Sequence, residues 1–414
     1  MKLREGIEFG NGDPLTAEAV RFSVERLAAL EVVAAAMAQE VASMDVIDDH
    51  TIVFTLVRPW AGFLYYFAHE GGIVVNPTVV EAMGEDFPNP VGAGVGPYEV
   101  ERFAPDEEIV LRAKDDYWGG PVCIQSLRFV TVPGAQATYD AFRAGELDAM
   151  FLADPQVIAD AKDAAVGGQG WISGGSGYLL NSGRSGSPVL ADLRLRQAIA
   201  HALDLDTINE RVFGGTGLVA SGLTHPDQQI YAGVDGLGYD PDRARELVEE
   251  VKAEGEWDGT VRLTCNDTPE VVEQTITTEA MLEAVGFEVE PENLPTADAN
   301  QKILLEGNYD IGCGQASVFE ESPLRGLNQF RSDAPNNRVG FGDPDLDRAI
   351  ERLYEVGNLE ETAEAMLEVQ EIWDEHVPAV WLRAGEWFIG WQDAVHGLAL
   401  TRAGVVMFHD AYLE

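Results

Sequence analysis

Seven histidines, three cysteines and 71 acidic residues are the groups in this 414-residue chain whose types could support chemistry. None of His50, His69, His201, His225, His376, His396 and His409 stands four residues from another beside an acid, the spacing a helical zinc hydrolase site requires. His201 falls inside an amphipathic run and reads as a structural histidine. With so many carboxylates, a general acid/base pair has no meaning without a measured separation. A Gly-x-Ser-x-Gly elbow, a Walker loop and an Asp-x-Asp-x-Asp-Gly calcium loop are all missing from the sequence. Gly92-Ala93-Gly94-Val95-Gly96-Pro97 is glycine-rich, but a phosphate loop opens a helix and Pro97 leads into a strand. It reads as a turn linking lobes. Cys123, Cys265 and Cys313 fit no zinc spacing, and an odd count argues against a fully paired framework; three buried thiols is the plain expectation. The residues therefore predict no catalytic constellation, no metal and no cofactor.

What the residues do specify is a set of elements. Asp13-Pro14 is expected to open a helix with Val20, Val24 and Leu27 on one face. Val46–Leu56 reads as two short strands around Asp48-Asp49. The run Asn89–Pro97 cannot be helical and is taken as a lobe boundary. Tyr98–Phe103 with Glu108–Arg112 reads as a hairpin, Leu127–Val132 as a strand and Ala137–Ala144 as a helix. The Gly/Ser-rich stretch Gly167–Ser187, carrying the short strand Tyr178–Asn181, is expected to be a crossover into another lobe. A helix from Asp192 buries Leu195, Ala198, Ile199, Ala202 and Leu203, and a second, capped by Asp240, buries Ala244, Leu247, Val248 and Val251. Strands at Val261–Cys265, Phe287–Val289 and Tyr309–Gly312 alternate with helices at Val271–Val285 and Ala297–Leu305, which predicts a parallel sheet. In the strand order 2-1-3, Cys265 and Cys313 would be neighbours; a disulfide there is the lesser alternative because bridge geometry is restrictive. Two further helices follow, from Asp343 and from Glu361, then strands at Pro378–Trp381 and Trp387–Trp391.

Composition narrows the function classes. The balance of 27 basic against 71 acidic residues gives a net charge of −44, which repels phosphate backbones and anionic lipid and argues against nucleic acid as a partner. Dispersed acids read as solvated faces, with adaptation to high salt the favoured cause. No run reaches the roughly 18 apolar residues of a membrane span. Met1–Gly6 lacks the pattern of a secretory leader. Several α/β lobes joined by Gly-rich segments imply a cleft in which a ligand is held.

Three segments, taken in order, resemble the extracellular solute-binding proteins that serve peptide and nickel importers. They are Lys2–Phe9 with Gly12–Val20; Asn89–Gly92 through Gly96-Pro97-Tyr98 with Asp116–Gly120; and Asp192–Asp204. The resemblance implies a periplasmic-binding-protein-like α/β fold of class II type. Two α/β lobes would surround a cleft, beside a small variable α+β domain whose N-terminal part is missing. It places the remnant of the small domain at 1–88, lobe I at 89–184 and 384–414, and lobe II at 185–383. It implies a non-enzymatic, extracytoplasmic, monomeric substrate-binding component of an ABC importer. A peptide or peptide-like small solute and the membrane permease subunits would be its partners. It implies also a truncated start, since family members carry a leader ahead of the first segment. The readings set against this one are a non-transporting derivative or sensor and a cleft hydrolase.

In peptide-binding members a W-x-A-D run lines the cleft and its Asp pairs with the α-ammonium. The corresponding run here is Gly312–Ser317, with Gly314 at the Trp position and Ser317 at the Asp position. A hydroxyl cannot neutralise a buried ammonium. Either Glu320 or Glu321 replaces the Asp, or the ligand is not an ordinary peptide, and Gly314 would leave room for a bulkier one. The expected ligand-binding residues are Gly314, Gln315, Ser317 and Phe319, then Tyr178 and Asn181.

Overall fold

The computed structural model describes residues 1–30, 38–68, 70–84, 92–104, 107–184, 189–316, 318–320, 322–334, 336–401 and 405–414. His69, Asn89–Val91, Ser185–Ser187, Ser317 and Glu321, named above, lie outside them. The chain divides into two compact units. Unit 1 comprises Met1–Leu152, Ala164–Gln169 and Phe388–Glu414; unit 2 comprises Ala153–Asp163 and Gly170–Trp387.

In unit 1 the first helix is Ala17–Ala28, and its cap is Thr16, whose Oγ1 accepts from the Ala19 N–H at 3.4 Å. Asp13 does not cap it, contrary to expectation. It is tied instead to Asn11, and it accepts from Asn76 Nδ2 at 3.1 Å. Strands β1 (Val41–Asp48) and β2 (Thr51–Leu56) form the expected hairpin. Strands β3 (Tyr98–Ala104), β4 (Glu108–Ala113) and β5 (Ser126–Val130) form an antiparallel sheet in that order. The helix Ala135–Arg143 leads to β6 (Ala149–Leu152).

The glycine-rich stretch does carry the chain from unit 1 into unit 2, between Gln169 and Gly170, but as a strand and not a loop. It is β7 (Gly168–Leu180), a 13-residue strand. Its glycines permit close packing: a Cβ on Gly175 would lie 2.5 Å from the Trp381 ring, and one on Gly177 would lie 2.1 Å from the Val380 carbonyl. The helix Leu193–Ala202 is capped by Asp192, and Pro241–Glu254 by Asp240, with all the expected inward residues buried. Next come β8 (Thr260–Asn266), the helix Pro269–Ala284, β9 (Glu288–Leu294), a helix at Thr296–Asn300 that continues as a π turn, and β10 (Ile311–Gln315). The helices Pro344–Glu355 and Leu359–His376 precede β11 (Ala379–Trp391), one strand where the sequence reading drew two.

In unit 2 the strands run β11–β7–β10–β8–β9. β8 is parallel to both β9 and β10, while β10 is antiparallel to β7. The predicted βαβαβ run and its 2-1-3 order are therefore present. The principal core lies here, from Tyr178 and Leu180 through Leu195, Ile199, Leu247, Val261, Leu263 and Ile311 to Leu382. Two cysteine expectations are corrected. Cys265 and Cys313 are bonded, with Cα atoms 4.9 Å apart, because β8 and β10 are neighbours in register. Cys123, expected to be buried, is exposed.

Candidate functional site

The C-terminal end of β10 carries the segment that the sequence singles out. Gln315 is exposed there. The chain beyond it is held against β7: the Ala316 N–H donates to the Gly175 carbonyl at 2.9 Å, and the Gly174 N–H donates to the Val318 carbonyl at 2.9 Å. Gln228 Nε2 reaches the same Val318 carbonyl at 3.1 Å. Gly174 must be glycine here, since a Cβ would lie 2.6 Å from the Val318 side chain.

Phe319 follows, buried, and is part of an aromatic group. Its ring stacks on Trp387 with centroids 6.1 Å apart, and Trp387 lies 5.8 Å from Trp171. The Arg325 guanidinium sits 5.2 Å over the Phe319 ring, a cation–π contact. Beside Trp387, Glu386 is paired with Lys162. Trp171 and Trp387 were not among the expected site residues. The signal that could have found Trp171 is a large aromatic inside a glycine-rich stretch.

The other expected residues do different work. Tyr178 is fully buried and its hydroxyl is shared with Thr278 Oγ1 at 2.7 Å and Gln274 Nε2 at 3.2 Å. Burial pushes its hydroxyl up to about 12, the two hydrogen bonds opposing. Asn181, also fully buried, donates to the carbonyls of Gly307 and Tyr309 and accepts from the Arg184 N–H. Both are locked into the interior of unit 2. Gly314 does not leave space for a bulkier ligand on its Cβ side: a Cβ there would lie 2.5 Å from Leu179, which is fully buried. Glu320 is engaged as well, accepting from the Gln229 N–H at 2.6 Å.

Electrostatics distinguishes one more group nearby in sequence. Arg383 on β11 lies 4.5 Å over the Phe213 ring and 3.3 Å from Glu270. Burial lowers its pKa, the Glu270 carboxylate opposing. Among the described residues no cluster of three or more His, Cys, Asp or Glu could hold a metal ion. The histidines with hydrogen bonds serve loops: His225 Nδ1 accepts from the Asp227 N–H at 3.1 Å, and His201 Nδ1 meets the Gly238 carbonyl at 2.8 Å. Each unit has its own cavity. That of unit 1, about 620 Å³, is bordered by β5, β6 and the C-terminal segment; that of unit 2, about 270 Å³, is bordered by Asp204, Tyr239, Trp373 and Asp374. Neither is lined by the expected ligand residues.

Residues 1–338 match a family described as "Bacterial extracellular solute-binding proteins, family 5 Middle". The chain belongs to this family. It is 27% identical over 365 residues to the "Probable D,D-dipeptide-binding periplasmic protein DdpA" of Escherichia coli K12, covering 84% of this chain and 68% of that protein. It is 30% identical over 217 residues to the "Dipeptide-binding protein" of the same organism, covering 50% of this chain and 40% of that protein. The fold matches the crystal structure of Haemophilus influenzae OppA in complex with RPPGFSPFR, with a TM-score of 0.81, 19% identity, and coverage of 100% of this chain and 86% of that one.

Within this family 5 chain, the motifs behind the resemblance are structural. Arg4 of the first segment lies 4.6 Å over the Trp118 ring of the second, and Trp118 Nε1 donates to the Val95 carbonyl at 2.9 Å. Gly10 packs on Gly92, where a Cβ would lie 2.9 Å from the Gly92 Cα. In the third segment Arg196 is buried and donates to the carbonyls of Leu190, Ala191 and His376. The family signature is thus written in residues that tie neighbouring segments together.

Proposed function

We propose that this family 5 chain is the solute-binding component of an ABC-type importer. It takes a peptide or peptide-like solute outside the membrane and delivers it to the permease subunits, acting as a monomer and without chemistry. The family match over residues 1–338, with relatives named for peptide binding, carries this reading. One observation supports an extracytoplasmic setting: a disulfide joins Cys265 and Cys313, and such bonds persist in oxidising compartments. Among the described residues no helix is long and apolar enough to cross a membrane.

The solute meets the end of β10 through Gln315, Ser317 and Phe319, with Trp387 and Trp171 extending the apolar surface. Gly314, Tyr178 and Asn181 support that segment from within unit 2. The charge of −44 is an adaptation to high salt. A thermal-shift screen with peptides of two to five residues tests the reading. A ligand of the folded state raises stability by RT ln(1 + [L]/Kd), about 2.7 kcal/mol at a hundredfold excess over Kd. A saturable upward shift is expected for a subset of the panel. A folded protein that responds to no peptide would reject the reading.

A further inference from the structure

We infer that the Cys265–Cys313 disulfide positions the solute-binding segment, so that losing it weakens binding and not merely stability. The inference rests on the reading above that the end of β10 meets the solute. On one side β10 pairs with β7 at five positions, from Ile311↔Leu180 to Gln315↔Ser176. On the other side its parallel pairing with β8 comprises only Ile311↔Leu263 and Gly312↔Thr264. The next pair in that register is Cys265 and Cys313, and there the link is covalent.

The bond therefore lies two residues before Gln315, at the carboxyl ends of parallel strands, where sheets of this kind meet their ligands. Its two anchors differ. Cys265 is fully buried in the core of unit 2, whereas Cys313 is only half-buried. One end is thus fixed in close-packed interior and the other in the strand that delivers Gln315 and Phe319. Beyond Gln315 the Ala316 N–H and the Val318 carbonyl are both bonded to β7. The disulfide supplies the tie toward β8, setting where the Phe319 ring meets Trp387.

The test begins with Cys123→Ser protein, which removes the exposed third thiol. Alkylation in denaturant without reductant, followed by mass measurement, should find Cys265 and Cys313 unmodified; two alkylated thiols would overturn the inference. Calorimetric titration with a peptide that binds this protein then compares it with C265A/C313A and with C265V/C313A, which refills part of the volume. Reduction of the bonded protein by dithiothreitol gives a third comparison. The reagent supplies two electrons and two protons, leaving two protein thiols and its own cyclic disulfide. The expected result is a Kd at least tenfold weaker in whichever of these forms remain folded by circular dichroism, with altered tryptophan fluorescence from the Trp171–Trp387 pair. A Kd within twofold of the bonded protein would overturn the inference alone. A bonded, folded protein that binds no peptide would instead remove the functional reading, and this inference with it.

Discussion

Arg196 shows how a side chain within a family motif can serve architecture. It sits in the most recognisable motif of the chain, yet its guanidinium is buried and spends its donors on three backbone carbonyls at 2.7 to 3.0 Å. Desolvation lowers its pKa to about 10, still well above neutrality. Arg196→Met leaves those carbonyls without their donor and is expected to cost about 3 kcal/mol in urea unfolding. Peptide affinity should not change in the folded fraction; a loss of affinity without a loss of stability would reassign Arg196 to the site. Asp374 offers a pH test. Burial pushes its carboxyl up to about 6, although Gln370 Nε2 donates to it at 2.8 Å. The folded state therefore holds the Asp374 proton more tightly than the unfolded state does. This group favours folding most at low pH, and its contribution is lost as pH rises through about 6. Asp374→Asn should raise the urea midpoint at pH 8, with the gain shrinking as pH falls from 6 towards 4. A gain that is independent of pH would show that the carboxyl is not the cause.

At the scale of elements, β7 carries the clearest lesson. Its glycines are required by contact, since Gly174, Gly175 and Gly177 each face an atom that a Cβ would strike. Gly177→Ala is expected to destabilise the protein by at least about 2 kcal/mol through overpacking against β11, measured as a drop in urea midpoint. A neutral effect would mean that β11 yields easily. Sequence periodicity had made the helices legible: caps at Asp192 and Asp240 and the stripe Ala244, Leu247, Val248, Val251 are determined locally, and they appear where expected. The βαβαβ run was legible for the same reason. β7 was not, because glycine has no periodicity of its own and close approach is a property of the partner strand. β11 was split in two because Arg383, Gly385 and Glu386 interrupt its apolar pattern, and only pairing keeps it extended. The first helix was misplaced because Asp13 is a good cap by type, but its carboxylate is already committed to Asn11 and Asn76. Near the candidate site, the place of Gln315 at a strand end was legible from the alternation of strands and helices. The roles of Tyr178 and Asn181 depended on long-range partners such as Thr278 and Tyr309, which no local pattern reveals.

For the molecule as a whole, charge and family membership each make a separate demand. A net charge of −44 stores self-repulsion that salt relieves, because the Debye length falls from about 8 Å at 0.15 M to about 3 Å at 1 M. The melting temperature should rise between 0.1 and 1 M potassium chloride; a flat or falling profile would contradict the high-salt reading. The central claim is that this family 5 chain holds a peptide-like solute and leaves it intact. The most direct measurement is calorimetric titration of the folded protein with short peptides, followed by mass analysis of the peptide recovered from the cell. The account predicts saturable one-to-one binding with the peptide recovered unchanged. Cleaved or modified peptide, or no heat of binding across the whole panel, would contradict it.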